Sequence, residues 1–479
     1  MSHSEPLHTH TVVIGAGIAG SWLAYRLTQL GVDVILISAQ DEDTPNVSRL
    51  AAMVFDRGLI EATRSGDPSA VLADETATRH PRLGSLLRAH LTTELAELER
   101  LVPLQVAGPI LIPQHPSPFP RLGAGDHAIT LLHKHITTAG GRILEGRVTD
   151  LLVTQSSCHG VAYVGAHGPA VIQATAVVLA TGGHSGLLPH SHTSNSAAML
   201  GVFAAAGGEL TNLEFSQRHA LGDLTAGRIL YPPDLDGATL YRGDDRADWL
   251  TDASATFDDR RRDLDIFQRY WRFNGHVPHT YARGEERHLL GPIYGLSMGG
   301  VEHTDGATTI EGVYVTGEAR HDLASDAILG RPWAIALAGS GRLAQLLKDL
   351  PPNPDHPLYV PSARNAASDR GLRTSIRRRL YEFEDHRFSA RAAMEFIDWC
   401  RDTRRVIPAT HSSDTGLLIL AESYALSALA RRESRGFFFR ADHPQPDPEL
   451  NGLRTRTTFD AENDIVTVEL TPNHLGDQA

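Results

Sequence analysis

The chain has 479 residues, enough for two to four domains, and a formal net charge of −13 at pH 7. This acidic balance argues against nucleic acid or an anionic membrane surface as a partner. Two distant cysteines, Cys158 and Cys400, exclude a disulfide framework and a cysteine zinc site, and the 25 histidines lack metal-site spacing. We therefore expect buried cysteines and no metal. Without a signal-peptide-like segment or a run of about 18 apolar residues, the sequence predicts a soluble cytoplasmic protein.

The first informative stretch is a strand, a tight turn and a helix. Apolar residues 11–14 lead into Gly-x-Gly-x-x-Gly at Gly15, Gly17 and Gly20. Here the first glycine turns the chain, the second lets a pyrophosphate approach the backbone, and the third lets helix and strand pack closely. Standing alone, such a motif can also be a glycine-rich turn without a ligand. A second apolar strand at residues 32–37 completes a β-α-β unit and favours dinucleotide binding.

The end of the second strand departs from the usual pattern, because Ser38 stands where an acidic residue would hold the ribose hydroxyls. A serine hydroxyl can still hydrogen-bond a sugar hydroxyl. Further along, residues 83–101 have the leucine spacing of a long amphipathic helix, and residues 110–120 are typical of a loop or an edge hairpin. A helix over residues 127–139 and strands from 142 to 153 follow.

Two later strands end in small residues that suit a flat cofactor. Residues 176–179 precede Ala180, Thr181, Gly182 and Gly183, where the backbone can lie directly on a ring system. Residues 312–316 precede Gly317 and Glu318, whose carboxylate is expected near the ribityl chain. A strand merely ending in a turn is the alternative for each alone. Together with the glycine turn, the three elements predict a two-part FAD-binding fold.

Five features of the sequence resemble the flavoproteins of the L-aspartate oxidase, fumarate reductase and succinate dehydrogenase family. In that family a serine follows the second strand, as in Ile35-Leu36-Ile37-Ser38. The remaining motifs are Glu214-Phe215-Ser216-Gln217-Arg218-His219, Ser297-Met298-Gly299-Gly300, Leu323-Ala324-Ser325 with Asp326-Ala327-Ile328-Leu329, and Arg431-Arg432-Glu433-Ser434-Arg435-Gly436 with Arg440, Asp442 and Pro444 beyond.

The resemblance implies an α/β fold: a two-part Rossmann-like FAD-binding domain with an inserted α+β capping domain and a C-terminal helical bundle. We place the FAD-binding segments at 1–218 and 292–355, the cap at 219–291 and the helical domain at 361–479. Three helical patterns support the last assignment. A partner-docking module is the alternative for the bundle.

Several site residues follow from the resemblance. It implies Arg262 as the proton-transfer residue, although three adjacent arginines are also typical of a solvated face. It implies His219 as a catalytic or substrate-binding residue, with a buried structural histidine as the alternative. Glu214 and Gln217 are expected to bind substrate. The additional cofactor-binding positions are Ala19, Ser48, Val148, Ala327 and Ile328.

Three positions depart from the family. Its substrate-binding histidine falls on Gly295 and its substrate-binding arginine on Asp322, which reverses the local charge. An unpaired carboxylate disfavours a buried anionic substrate, so succinate, fumarate and plain L-aspartate are doubtful and a ligand with an amino group is favoured. Arg320 or Arg331 is expected to supply the missing positive charge. Ser48 replaces the histidine that carries covalent FAD, which predicts dissociable, non-covalent FAD and no membrane-bound partner.

The sequence therefore predicts an FAD-dependent oxidoreductase that oxidises a small amino acid or amine-bearing carboxylate, with dioxygen or another acceptor reoxidising the flavin. The alternatives are a flavin-dependent reductase of an activated double bond, an N-hydroxylating monooxygenase, or a catalytically degenerate FAD-binding protein. The expected partner is a small-molecule substrate, with no nucleic acid and no membrane. A homodimer is compatible with this interpretation.

Overall fold

The computed structural model describes residues 6–39, 48, 55–66, 83–107, 110–114, 124–193, 195, 197–230, 235, 237–242, 244–247, 280–320, 331–352, 370–384, 388–408 and 410–472. The helices in these ranges are α1 (Ile18–Gln29), α2 (Arg57–Ser65), α3 (Leu83–Leu101), α4 (Ala124–Thr138), α5 (Ala198–Ala205), α6 (Arg331–Leu347), α7 (Arg370–Glu384), α8 (Ala390–Val406) and α9 (Ser412–Ala430). The helices expected over 83–101 and 127–139 are thus confirmed, the second with slightly shifted ends.

Five parallel strands form the central sheet, in the order β6-β2-β1-β8-β19. Their bounds are β1 (Leu7–Ile14), β2 (Val34–Ser38), β6 (Arg142–Thr154), β8 (Gly168–Leu179) and β19 (Val313–Val315). An antiparallel strand, β7 (Ser157–Gly165), links the far ends of β6 and β8. The central strands are buried on both faces, which explains their continuous Val and Ile content.

Side chains alternate between two hydrophobic cores along each central strand. Val13, Leu36 and Val178 face a core shared with α1, α3, α4 and α6. Val12 and Val177 face the opposite core, which α5 and the C-terminal helices cover. This alternation follows from the two-residue period of a strand and fixes the register of the sheet. Both cysteines are buried, as expected.

A second, antiparallel sheet occupies the region assigned to the cap, in the order β11-β10-β15-β14-β12-β13. Its strands are β10 (Ser216–Asp223), β11 (Arg228–Ile229), β12 (Thr239–Arg242), β13 (Asp245–Ala247), β14 (Thr280–Arg283) and β15 (Glu286–Ser297). Strands β10 and β15 pair along their length and extend to Ser216 and Ser297, beyond the expected limits of 219 and 291. The domain limits stay a prediction.

The C-terminal segment contains the three predicted helices and also a hairpin that sequence analysis did not predict. Strands β20 (Leu453–Asp460) and β21 (Ile465–Pro472) form this hairpin, and β20 pairs with the short strand β9 (Leu210–Thr211), which pairs with β16 (Gly300–Val301). The bundle is therefore joined by main-chain hydrogen bonds to the segments flanking the cap sheet. The remaining strands are β3 (Phe55–Asp56), β4 (Leu104–Ala107), β5 (Ile110–Pro113), β17 (His303–Thr304) and β18 (Ala307–Thr308). The pairing of β4 with β5 confirms the hairpin alternative for part of residues 110–120.

Candidate FAD site and its surroundings

The predicted cofactor residues lie where neighbouring parallel strands end. In the register of the sheet, Ile14 of β1 pairs with both Ile37 of β2 and Leu179 of β8, and Leu179 also pairs with Val315 of β19. The glycine turn, Ser38, the loop from Ala180 and the segment from Gly317 therefore follow adjacent strands at one edge. Crevices at the carboxyl edge of such sheets are where open α/β folds bind ligands.

The glycine turn is closely packed, as its motif predicts. Gly15 has φ +109, and a Cβ there would lie 2.4 Å from the Ala180 carbonyl oxygen. A Cβ on Gly20 would lie 1.9 Å from the Gly15 carbonyl oxygen, so only glycine lets α1 approach the turn. Around Gly17, by contrast, the described residues leave space for a ligand, since a Cβ would approach only Ser48.

Ser48 supports the first turn of α1. Its Oγ accepts a hydrogen bond from the Ile18 N–H at 3.0 Å and lies 3.1 Å from the ideal Cβ position of Gly17. The first turn of α1 carries no acidic side chain, which leaves the positive end of the helix dipole available to an anion. Ala19 follows in the same turn and is buried.

A side-chain amide is hydrogen-bonded to the loop after β8. Asn195 Nδ2 donates to the carbonyl oxygens of Thr181 and Gly183, at 2.7 and 2.9 Å. Gly182 has φ +74 and lies against the same amide. The Thr181 hydroxyl is buried and has no hydrogen-bond partner among the described residues. A buried hydroxyl of this kind suits a polar ligand atom.

Glu318 is the acidic group of the site. Its Oε1 accepts the Ser297 N–H at 2.8 Å, and the Gly183 N–H and the Ser297 hydroxyl also donate to the carboxylate. Burial nevertheless raises the pKa of Glu318 to about 7, because these hydrogen bonds offset the desolvation only in part. The carboxyl group can therefore change its charge near neutral pH.

These features together fit FAD. The space at Gly17 and the N-terminus of α1 suit its pyrophosphate, and the polar atoms of Ser38 and Glu318 are acceptors for sugar and ribityl hydroxyls. The glycine-containing loop at Thr181–Gly183 allows a ring system to approach the main chain.

Other predicted site residues have structural partners. Both oxygens of the Glu214 carboxylate are occupied, Oε1 by Arg431 and Oε2 by the Thr455 hydroxyl at 2.7 Å, which favours a structural role over the expected substrate contact. Gln217 is buried at the start of β10. Val148 belongs to β6, its side chain packs in the hydrophobic core, and its main chain pairs with Tyr163 of β7.

The expected source of positive charge is only partly described. Arg320 is buried and donates from Nε to His303 Nε2 at 3.3 Å, which favours a structural role. Arg331 begins α6, and His219 lies in β10, but their side chains are outside the described residues. The remaining predicted site residues are also outside the described residues: Arg262, Asp322, Ala327 and Ile328.

Sequence reasoning missed three residues that shape the site. Asn195 holds the loop of Thr181 and Gly183, Ser297 binds Glu318, and the main-chain N–H of His184 donates to the Ser297 hydroxyl oxygen at 2.7 Å. Ser297 was part of a recognised motif, which was a usable signal. Nothing local to Asn195 or His184 distinguishes them, because their partners are distant in the sequence.

Two further features concern the described part of the chain. No group of three or more His, Cys, Asp or Glu side chains in those ranges is arranged to hold a metal ion. Among the described helices, none combines the length and apolar character needed to cross a membrane.

Known proteins resemble this chain in sequence and in fold. L-aspartate oxidase from Pyrococcus abyssi is 24% identical, covering 90% of this chain and 95% of the relative. Two solved structures share the fold. A mutant of E. coli quinol fumarate reductase FrdA has a TM-score of 0.72 at 16% identity, covering 98% and 97% of the two chains. Mycobacterium smegmatis Sdh1 in complex with UQ1 has a TM-score of 0.73 at 17% identity, covering 98% and 94%.

Family models match two parts of the chain. A model described as fumarate reductase flavoprotein C-term matches residues 413–477, which include α9 and the C-terminal hairpin. A model described as FAD dependent oxidoreductase matches residues 10–293, more than half of the chain, and includes the glycine turn and the loop after β8. The chain therefore belongs to the FAD-dependent oxidoreductases and is a flavoprotein enzyme related to the L-aspartate oxidase and fumarate reductase flavoproteins.

Proposed function

We propose that this enzyme oxidises a small amine-bearing carboxylate, using non-covalent FAD that dioxygen or another small acceptor reoxidises. Support for an amino substrate comes from the relatives named L-aspartate oxidase, one of which aligns with 90% of the chain. Ser48 supports dissociable FAD, because its hydroxyl accepts a main-chain hydrogen bond at the position where the resemblance expects a flavin-linking histidine.

The observation that carries the substrate proposal is Gly295. This residue is buried in β15, two positions before Ser297, which binds Glu318. The resemblance expects a histidine here, so one side-chain contact for a substrate carboxylate is missing. If Asp322 also replaces the arginine of the family, a positive charge of the region is exchanged for a negative one. Such a pocket favours a substrate that carries an ammonium group over a plain dicarboxylate.

The chemistry requires removal of a hydride from a substrate carbon and of a proton from its ammonium group. When bound, FAD supplies the two-electron acceptor. The product is an imine, which water hydrolyses to an oxo acid and ammonia. We propose that Arg262 shuttles the proton, its guanidinium releasing one proton to solvent and taking one from the ammonium group, and that His219 orients the substrate. Both roles rest on the resemblance.

The test is anaerobic mixing of the purified enzyme with L-aspartate, succinate and other amine-bearing carboxylates while the absorbance of oxidised flavin is followed. Bleaching by an amino compound but not by succinate supports the proposal. Bleaching by NAD(P)H alone contradicts it and favours a reductase or monooxygenase. If no compound of this panel reduces the flavin, the proposed substrate class is contradicted.

A matched pair of variants tests the proton-transfer residue. Arg262→Ala should retain FAD and reduce turnover at least 100-fold, the usual contribution of a positioned proton-transfer group. Arg260→Ala removes a neighbouring arginine from the same run and should leave turnover within about twofold. Equal activities of the two variants would exclude Arg262 from the mechanism.

A further inference from the structure

Ser297 lies where the cap sheet meets the cofactor loop. It is the last residue of β15 and is fully buried. Its Oγ accepts hydrogen bonds from the main-chain N–H groups of His184 and Ser185, each at 2.7 Å. Its own N–H donates to Glu318 Oε1 at 2.8 Å, and its hydroxyl proton is also directed to that carboxylate. One serine thus contacts two separate segments of the FAD-binding domain.

Gly183 packs directly against this serine. An ideal Cβ on Gly183 would lie 2.4 Å from both Cβ and Oγ of Ser297 and 2.7 Å from Glu318 Oε1. The Gly183 N–H is a further donor to the carboxylate. Three parts are therefore in close contact: the loop after β8, the end of β15 and Glu318. If any of the three moved, it would lose hydrogen bonds to the other two.

The partner strand β10 is fixed to the same loop. Ser216, opposite Ser297 in the sheet, has its Oγ 3.1 Å from His184 Nε2. Nε2 also lies 2.8 Å from the Leu213 carbonyl oxygen, so the ring carries its proton on Nε2 and donates there. Burial lowers the pKa of His184 to about 4, and the ring is neutral at pH 7. Ser216 of β10 and Ser297 of β15 thus both hydrogen-bond His184 in the loop, and the His184 ring is uncharged.

We propose that Ser297 is a positioning residue for the cofactor, which fixes Glu318 and the Gly183 loop in their FAD-binding arrangement and couples strand β15 of the cap to them. This role is independent of which substrate the enzyme oxidises. Ser297 acts through Glu318 and the loop, and it takes no part in the chemistry.

Removing the hydroxyl has two physical consequences. The N–H groups of His184 and Ser185 lose their acceptor in a buried place, which is costly. Glu318 loses a donor that stabilises its ionised form, so its pKa rises above the value of about 7. An ionised carboxylate accepts hydrogen bonds more strongly from cofactor hydroxyls than a neutral one. Weaker FAD binding and a shift of its pH dependence towards higher pH should follow.

The experiment starts from purified holoenzyme and measures FAD release by flavin fluorescence after dilution, between pH 5.5 and 8.5. Ser297→Ala should raise the dissociation constant at least about 10-fold at pH 7 and move the pH midpoint upwards. Ser297→Thr, which keeps the hydroxyl, should restore both. In a Glu318→Gln background, which has no titrating carboxyl at this position, the shift in the pH midpoint on Ser297→Ala should disappear.

Ser389→Ala is the matched control. Ser389 caps α8 by accepting the Ala392 N–H at 3.2 Å, so this variant loses one hydroxyl hydrogen bond, in the helical bundle, where Ser297→Ala loses three. It should lower the thermal unfolding temperature and leave FAD affinity within about twofold. The proposal is overturned if Ser297→Ala binds FAD as the wild type does, or if both serine variants weaken FAD binding equally.

If Ser297→Ala does not fold, the FAD affinity of the Glu318→Gln variant tests the proposal. The proposal requires that this variant bind FAD more weakly at pH 8 and lose the pH dependence near 7. An unchanged affinity and pH profile would show that Glu318 does not bind the cofactor as proposed. The positioning role of Ser297 would then be refuted as well.

Discussion

Replacing Arg431 with methionine should strongly destabilise the protein. The guanidinium is almost completely buried and donates to Glu214, to Glu433 Oε1 at 3.0 Å and to the Leu453 carbonyl oxygen at 3.0 Å. It also lies 4.9 Å from the centroid of the Phe215 ring. Methionine preserves much of the side-chain volume but leaves two buried carboxylates without this cation.

Removal of one partner from a buried ion pair usually costs about 3–5 kcal/mol, because the remaining charge cannot be solvated. We expect a loss of this size for Arg431→Met. Glu433 retains Arg435 and the Asp447 N–H as partners, so most of the loss should come from Glu214. The double variant Arg431→Met/Glu214→Gln removes that charge and should recover part of the stability.

Equilibrium unfolding of the holoenzyme in guanidinium chloride, followed by circular dichroism, measures these differences. Arg391→Met is the matched control: Arg391 pairs with Glu395 on the exposed face of α8, and its replacement should have no measurable effect. An Arg431→Met variant as stable as the wild type, or a double variant less stable than the single one, would refute the structural role assigned to Glu214.

Four further outcomes are expected. Gly20→Ala should yield protein without flavin, measured as the absorbance ratio at 450 and 280 nm, because its Cβ would lie 1.9 Å from the Gly15 carbonyl oxygen; full flavin content would contradict this. Ser48→Ala should lower the free energy of unfolding by about 0.5–2 kcal/mol, since the Ile18 N–H loses its acceptor. Acid precipitation of the wild type should release all of its FAD, as non-covalent binding requires. Burial alone would raise the pKa of Glu433, but hydrogen bonds from Arg435, the Asp447 N–H and Arg431 leave it below 4.5. Its stabilising contribution is therefore present above pH 4.5 and lost as the pH falls through the lowered pKa; Glu433→Gln should be less stable than the wild type at pH 7, with a smaller difference at pH 3.

Short-range patterns predicted the part of the site that follows the strands. The glycine turn, the Thr181–Gly183 loop and Gly317 could be recognised because branched apolar residues predict buried strands and small residues permit the close approaches found after them. The parallel order of the strands then brings these segments to one edge. This is why the convergence of these segments at one sheet edge could be predicted from the sequence.

Roles of individual polar residues were less predictable. Glu214 was expected to contact substrate, yet its partners Arg431 and Thr455 are more than 200 positions away in the sequence. The C-terminal hairpin was missed for a related reason, since β20 is completed by pairing with β9, which belongs to a distant segment. Whether a segment forms a strand depends on its neighbours in the sheet, whereas helix formation depends more on the segment's own residues.

The dinucleotide-binding unit, the helical pattern of the bundle and the cofactor class could be predicted from the sequence, because they depend on residue spacing within single segments. Which polar groups meet depends on the assembled fold. Ser297, His184 and Glu318 come from three separate segments, and their hydrogen bonds exist only when cap strand, loop and sheet edge are assembled. Contacts within one element are local, whereas contacts between elements depend on how the whole chain packs.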